Sequence, residues 1–203
     1  MALQIVIPGT FTTPGLPDLG TLGFSDTFSR RNADTLGYTE EPRRPWGALP
    51  GSRPSVQVIR AGQAGIAQES GSGHCTVGAD AGTPDGALEC TVSTMGVTSS
   101  QQGLMFRGTS YNSFWRFARN SIAQYELRKH VAGAVTTLHA TTGITPTEGD
   151  VLRVVLDGPS ISCFINGQHI HDASDDFNVD ATVHGFYNNA TTDNRFDNIS
   201  FTA

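Results

Sequence analysis

The stretch DVLRVVLDGPSISCFINGQHIHDA, residues 150–173, decides the fold. Apolar side chains alternate through Leu152, Val154 and Leu156 and again through Ile161, Cys163 and Ile165. That period of two turns one side of a strand to a core and the other to water. Asp157-Gly158-Pro159 and Asn166-Gly167 interrupt the runs. Asn-Gly supplies the positive φ angles that a tight hairpin needs, so the stretch reads as three strands joined by two short turns.

The same reading extends outward on both sides. SVQVIRA (55–61), HCTVGA (74–79), ALECTVSTM (87–95), QGLMFRG (102–108), SFWRFAR (113–119), QYELRKHV (124–131), VTTLHAT (135–141), VHGFYN (183–188) and RFDNISFT (195–202) are strand-like runs separated by turn residues. About a dozen strands with no helical stretch predict an all-β, two-sheet antiparallel jelly-roll sandwich. In SFWRF the alternation sends Phe114 and Arg116 to one face and Trp115 and Phe117 to the other, so one aromatic pair belongs to the core. Trp46 reads as a plug for one end of the sandwich.

Composition agrees. The 203 residues include 23 Gly and 10 Pro, only 16% are charged, and 11 are Phe, a balance that excludes coiled coils, helical arrays and disordered acidic chains. No apolar run of about 18 residues exists, so no membrane insertion is expected. MALQIVIPGTF lacks the basic flank and apolar core of a signal peptide. The net charge of −6 and the lack of a basic cluster argue against nucleic acid as a partner. Lys129 is the one lysine among 13 basic residues. Cys75, Cys90 and Cys163 are an odd number and read as small buried hydrophobes, with a Cys75–Cys90 pair left open.

Residues 1–23 differ from the rest, with one apolar run before Pro8, Pro14 and Pro17. Such a segment cannot bury a core of its own and suits an anchoring arm that docks on a partner through Leu3, Ile5, Ile7, Pro8 and Phe11. The chain therefore divides into a 1–23 arm and a 24–203 domain.

Chemistry-bearing patterns are sparse. Glu40, Glu41, Glu69, Glu89, Glu126 and Glu148 form no alternating acidic string of the kind a glycosidase strand carries, although Glu89 and Glu126 are placed mid-strand where they can face each other. No G-x-S-x-G string is present. No catalytic residue is assigned, and the chain is read as a non-enzyme. His169 and His171 fall on one face by alternation, with Asp172, Asp175 and Asp176 following, a weak mixed-ligand metal candidate. Glycan recognition, which sets an aromatic face against a sugar and polar side chains against its hydroxyls, is offered by Tyr111 and Arg116 in SYNSFWRFARN and by Tyr187, Asn188, Asn189, Asp193 and Asn194 in GFYNNATTDNR.

FSDTFSRRNADTLGYTEEPRRPWGALPGS, GLMFRGTSYNSFWRFARN, YELRKHVAGAVTTL, GDVLRVVLDGPSISCFINGQHI and HGFYNNATTDNRFDNISF together resemble the concanavalin A-like, laminin-G-like jelly rolls over residues 24–203. They are most similar to those in bacterial extracellular proteins and in the tail proteins of phages infecting actinobacteria. IPGTFT with the LPDLG stretch resembles the N-terminus of minor tail proteins from such phages. The resemblance implies a virion structural protein, assembled in the host cytoplasm and held to other virion proteins by residues 1–23. A jelly roll displayed in this way would meet a host cell-envelope glycan, and fibre and tail-tip proteins imply a homo-oligomer, a trimer as the first guess. A capsid decoration protein, a stand-alone carbohydrate-binding module and a polysaccharide-active enzyme stand as alternatives. The family also implies a possible structural calcium shared by Asp26 in the first strand and Asp197 in the last, and no other cofactor.

Overall fold

The computed structural model describes residues 22–52, 55–68, 74–96, 100–189 and 194–203, and the arm residues Leu3, Ile5, Ile7, Pro8 and Phe11 lie outside them. Two antiparallel sheets face each other, as the alternation predicts. One runs in the order β13 (Gln168–Ser174), β12 (Ser160–Ile165), β11 (Val151–Asp157), β6 (Gly86–Thr94), β15 (Arg195–Thr202), β4 (Gln63–Gln68) and β3 (Ser55–Arg60), and β1 (Phe24–Asp26) also pairs with β15. The other runs β10 (Ala134–Ala140), β9 (Tyr125–Val131), β8 (Ser113–Arg119), β7 (Gln101–Ser110), β14 (Val183–Asn189), β5 (Cys75–Asp80) and β2 (Gly47–Ala48). No helix occurs among the described residues. The Asn166-Gly167 turn joins β12 to β13 with both residues at positive φ, 51° and 77°. The β3–β4 hairpin uses Ala61-Gly62 in the same conformation. An alanine there carries no turn signal, which hides β4 in the sequence.

The two inner faces meet in one core. Trp115, Phe117, Leu104, Phe106 and Phe186 come from the seven-stranded sheet, and Leu88, Val92, Leu152, Val154, Ile161 and Phe196 from the eight-stranded one. Trp46 fills one end among Phe24, Phe28 and Phe186, with ring centroids 5.5, 6.1 and 5.4 Å away. Each such buried ring contributes roughly 1.5–3 kcal/mol of transfer free energy. The Trp115 indole N–H donates to the Phe177 carbonyl at 2.9 Å, so the largest core side chain leaves no donor unpaired. Cys75 and Cys90 stand in opposite sheets, and all three cysteines are free and buried. Burial pushes the Cys75 thiol up to about 11, which keeps it protonated and unreactive.

The two sheet edges correct the histidine pattern. β13 carries one extra residue against β12, so Cys163 pairs with His171 while Phe164 pairs with His169. This bulge cancels the alternation. His169 turns out toward Phe164 and Asp172, whereas His171 meets His139 of β10 in a parallel stack with centroids 4.3 Å apart. A bulge in β10 between Thr137 and His139 prepares the other half of this contact. His169 and His171 therefore do not share a face, and no group of three or more His, Cys, Asp or Glu able to hold a metal occurs among the described residues.

Two other histidines are buried as neutral bases. His184 stacks on Phe201 at 4.2 Å, its Nδ1 accepts from the Arg107 N–H, and its Nε2 lies 3.3 Å from the Thr83 carbonyl. Burial lowers its pKa to about 3, and burial beside Arg116, His74 and Arg128 does the same to His130. Below pH 6.5 the unfolded chain binds these protons first, so stability falls progressively as pH drops toward 3. The expected loss is about 2 kcal/mol per histidine by pH 5, read from denaturant unfolding at pH 7 and pH 5. His130→Phe, which keeps the stacking shape, should remove about half of that pH dependence.

Candidate functional site

β8 has six consecutive buried residues, Phe114 to Arg119, so both of its faces are covered. On the outer face Phe114 and Ala118 join Met105 of β7 and Tyr187 of β14 in a second apolar cluster, which Leu49 from the segment after β2 covers. The 49–52 turn continues across this face. The Tyr111 N–H donates to the Pro50 carbonyl at 3.0 Å, and Gly51, at φ +80°, lies so close to the Tyr111 ring that a Cβ would sit 2.8 Å from it. Glycine is required there for both reasons.

Strand alternation sets a charged group beside this cluster. Glu126, Arg128 and His130 alternate along β9 and share the outer face with Arg116 of β8, their cross-strand partners being Ala118, Arg116 and Phe114. The Arg116 guanidinium lies over the Tyr187 ring at 4.3 Å and donates through Nη1 to Gln101 Oε1 at 2.8 Å. Its Nη2 is 3.7 Å from Glu126 Oε2, and Arg128 Nε approaches the same oxygen to 2.6 Å. The second approach is a charge contact without hydrogen-bond alignment, since both Arg128 Nε and Glu126 Oε2 lack a bonded partner. His130 stacks on Phe114 with centroids 4.3 Å apart, and His74 packs against His130, Tyr187, Phe114 and Tyr111. Burial draws the Arg116 pKa below its usual value, Arg128 adds to that, and Tyr187 and Glu126 oppose it. Burial likewise raises the Tyr187 phenol against the opposing charge of Arg116.

Tyr111, Tyr187 and Arg116 are thus brought together, with Tyr111 exposed at the rim and the other two beneath. Asn189 lies on the same face and hydrogen-bonds the Tyr187 side chain. Asn188 and Asn194 are corrections. Both are buried on the inner side, where Asn188 Nδ2 donates to the Ile66 carbonyl and Asn194 Nδ2 to Asn188 Oδ1 at 2.5 Å. Asn194 Oδ1 in turn accepts from the Gly96 N–H and Ser100 Oγ, so these amides hold the sheets together. Asp193 lies outside the described residues. The sequence does not single out Arg128 and His130 and offers Glu126 only as a partner for Glu89, although the alternation in YELRKHV places all three on one face. Glu89 lies in the other sheet, paired with Arg153, and does not face Glu126.

Asp26 and Asp197 do not form a cation cage. Both Asp26 oxygens are taken by Arg30, at 2.5 and 2.9 Å, and the carboxylate also accepts from the Trp46 indole N–H at 2.8 Å and the Phe28 N–H at 2.9 Å. A guanidinium fills the place where calcium would need free oxygens, so the donor set does not fit that ion. Burial raises the Asp197 carboxyl, and the neighbouring charges of Asp26 and Glu40 push it further up. A separate cleft of about 400 Å³ is lined by Arg30, Tyr38, Glu40 and Arg43, whose polar groups are already engaged. Arg30 is committed to Asp26, Glu40 accepts from Thr27, and Arg43 covers the Tyr38 ring at 5.0 Å.

The sequence matches no family model and no curated protein. Solved structures share the fold at low identity. The catalytic domain of an endo-1,3-β-glucanase (laminarinase) from Thermotoga petrophila superposes with a TM-score of 0.57 at 10% identity, over 88% of this chain and 95% of that one. LamAcat from Zobellia galactanivorans gives 0.57 at 13%, over 91% and 98%. A Bacillus subtilis protein of unknown function with a galectin-like fold gives 0.57 at 14%, over 77% and 88%. These likenesses show the two-sheet jelly-roll fold.

The Asp26 contacts generate a stability test. Asp26→Ala leaves a buried indole N–H and a half-buried guanidinium without their acceptor and is expected to cost about 3–5 kcal/mol in urea unfolding. Asp197→Asn removes a carboxylate that the fold already disfavours and is expected to cost less than about 0.5 kcal/mol.

Proposed function

We propose that this chain is a phage virion structural protein, a minor tail protein, whose jelly roll binds a host cell-envelope glycan through the outer face of its seven-stranded sheet. Residues 1–23 anchor it to other virion proteins, and the particle holds it as a closed homo-oligomer. The observation that carries the glycan reading is the convergence on one sheet face of the exposed Tyr111 ring, His74, and the polar groups of Arg116, Arg128, Glu126 and Gln101. Saccharide recognition needs this combination of an aromatic surface and fixed polar partners. The fold shared with a protein named as an endo-1,3-β-glucanase is consistent with a polysaccharide ligand. Binding is favoured over hydrolysis because the cluster holds one carboxylate, Glu126, set between two guanidiniums, whereas glycoside cleavage uses a pair of carboxyls roughly 5–10 Å apart. The resemblance of residues 24–203, and of IPGTFT in the arm, to phage tail proteins supports the virion setting.

Two measurements test these parts separately. Mass spectrometry of purified phage particles should find the chain at stoichiometric copy number, and its absence from particles would remove the virion role. Pull-down on cell-envelope polysaccharide should retain the wild type, and Tyr111→Ala should bind roughly threefold to tenfold more weakly, the effect of losing one aromatic contact. Equal retention of the two proteins would remove this face from consideration.

A further inference from the structure

The charge of the outer face narrows the ligand class. Arg116 is 1% exposed, and its one carboxylate partner among the described residues, Glu126, is shared with Arg128 and stands 3.7 Å from it. Its other contacts are neutral, the Gln101 amide and the Tyr187 ring, and its Nε has no hydrogen-bond partner. A buried cation is normally matched by a full counter-charge, because desolvation costs several kcal/mol per ion. Among the described residues these two guanidiniums have one carboxylate between them, so one positive charge exceeds its local match in a chain whose net charge is −6. His130, 4% exposed, also has its Nε2 unbonded. Burial is the main cause of its low pKa, and Arg116, His74 and Arg128 add to it by opposing protonation. Asp80, at the end of β5, accepts from the Gly82 N–H at 2.9 Å and makes no ion pair with Arg116 or Arg128. Arg128 is the accessible member of the pair, with about a quarter of its side chain exposed.

Resting on the glycan reading above, we infer that the outer face of the seven-stranded sheet selects an anionic saccharide, one bearing carboxylate or phosphate groups, with Arg128 as the contacting cation and Arg116 as the positioning charge beneath it. The planar guanidinium suits either oxyanion through paired N–H donors. The anion supplies the counter-charge that Glu126 provides only in part. Neutral glucans offer no such charge and bind less well.

Calorimetric titration of the full chain with three oligosaccharides of matched length tests this: an oligogalacturonate, a glycerol-phosphate oligomer and a neutral β-1,3-glucan. The expected result is that at least one anionic ligand binds at least tenfold more tightly than the glucan, with the carboxylate and phosphate arms identifying which oxyanion is preferred. That affinity should fall about tenfold between roughly 50 and 300 mM NaCl, as a charge-dominated contact requires. Arg128→Gln should weaken it about tenfold, a typical effect of losing one charge-assisted hydrogen bond. Arg153→Gln, the same change on the opposite sheet, should leave it unaltered. Equal affinity for the neutral glucan, or an unchanged Arg128→Gln variant, would overturn the anionic selectivity while leaving glycan binding in place. Failure of all three ligands to bind would overturn both.

Discussion

The pleat of β8 is the constraint on which the rest of the molecule depends. Its alternate residues supply the center of two different layers. Trp115 and Phe117 enter the core between the sheets, and Phe114, Arg116 and Ala118 support the outer face. A strand covered on both sides cannot slip by one residue without driving Arg116 into the aromatic core and Trp115 into the polar cluster. Register, core packing and the placement of the charged group are therefore a single choice.

That choice also explains how a polar cluster is buried beside an apolar one on the same outer face. The 49–52 turn, held by the Pro50–Tyr111 backbone bond and the close fit of Gly51, brings Leu49 over Met105 and Phe114 and dries one half of the face. The other half holds Arg116, Glu126, Arg128 and His130, where low local dielectric strengthens each charge contact and makes each unmatched group costly. Gln101, the Tyr187 ring and the shared Glu126 compensate Arg116 incompletely. That incompleteness is the observation on which the proposed anionic ligand rests. At the far end of the sandwich, by contrast, Asp26 has every lone pair engaged by Arg30, Trp46 and Phe28. Two buried charge groups in one fold thus differ in how fully they are satisfied.

The departures from the sequence pattern have local causes. A single extra residue in β13 reverses the side taken by His169 relative to His171, and a matching bulge in β10 lets His139 meet His171 across the open edges of the two sheets. The polar letters of GFYNNATTDNR divide in the same way. Tyr187 and Asn189 face outward, whereas Asn188 and Asn194 turn inward to bond Ile66, Gly96 and Ser100. Asn is ordinary both as a surface ligand and as a buried backbone partner, so its side is decided by strand parity rather than by its chemistry.

By itself the sequence determined the jelly roll. Alternation at period two, Asn-Gly and Asp-Gly punctuation and the scarcity of charge leave an antiparallel sandwich as the way to bury a phenylalanine-rich core in a chain of this length. It also determined which of Phe114, Trp115, Arg116 and Phe117 belong together, because parity within one strand is a local property. Only the tertiary structure decided which strands become neighbours, and hence that Arg116 meets Tyr187 and Glu126, that Glu89 lies in the other sheet, and that a guanidinium occupies the carboxylate of Asp26. Arg116 and Tyr187 stand about seventy positions apart, and their meeting is set by the order of strands in the sheet, which no single strand's pattern encodes, whereas Asp26 and Arg30 are four residues apart and meet only because the loop after β1 folds back.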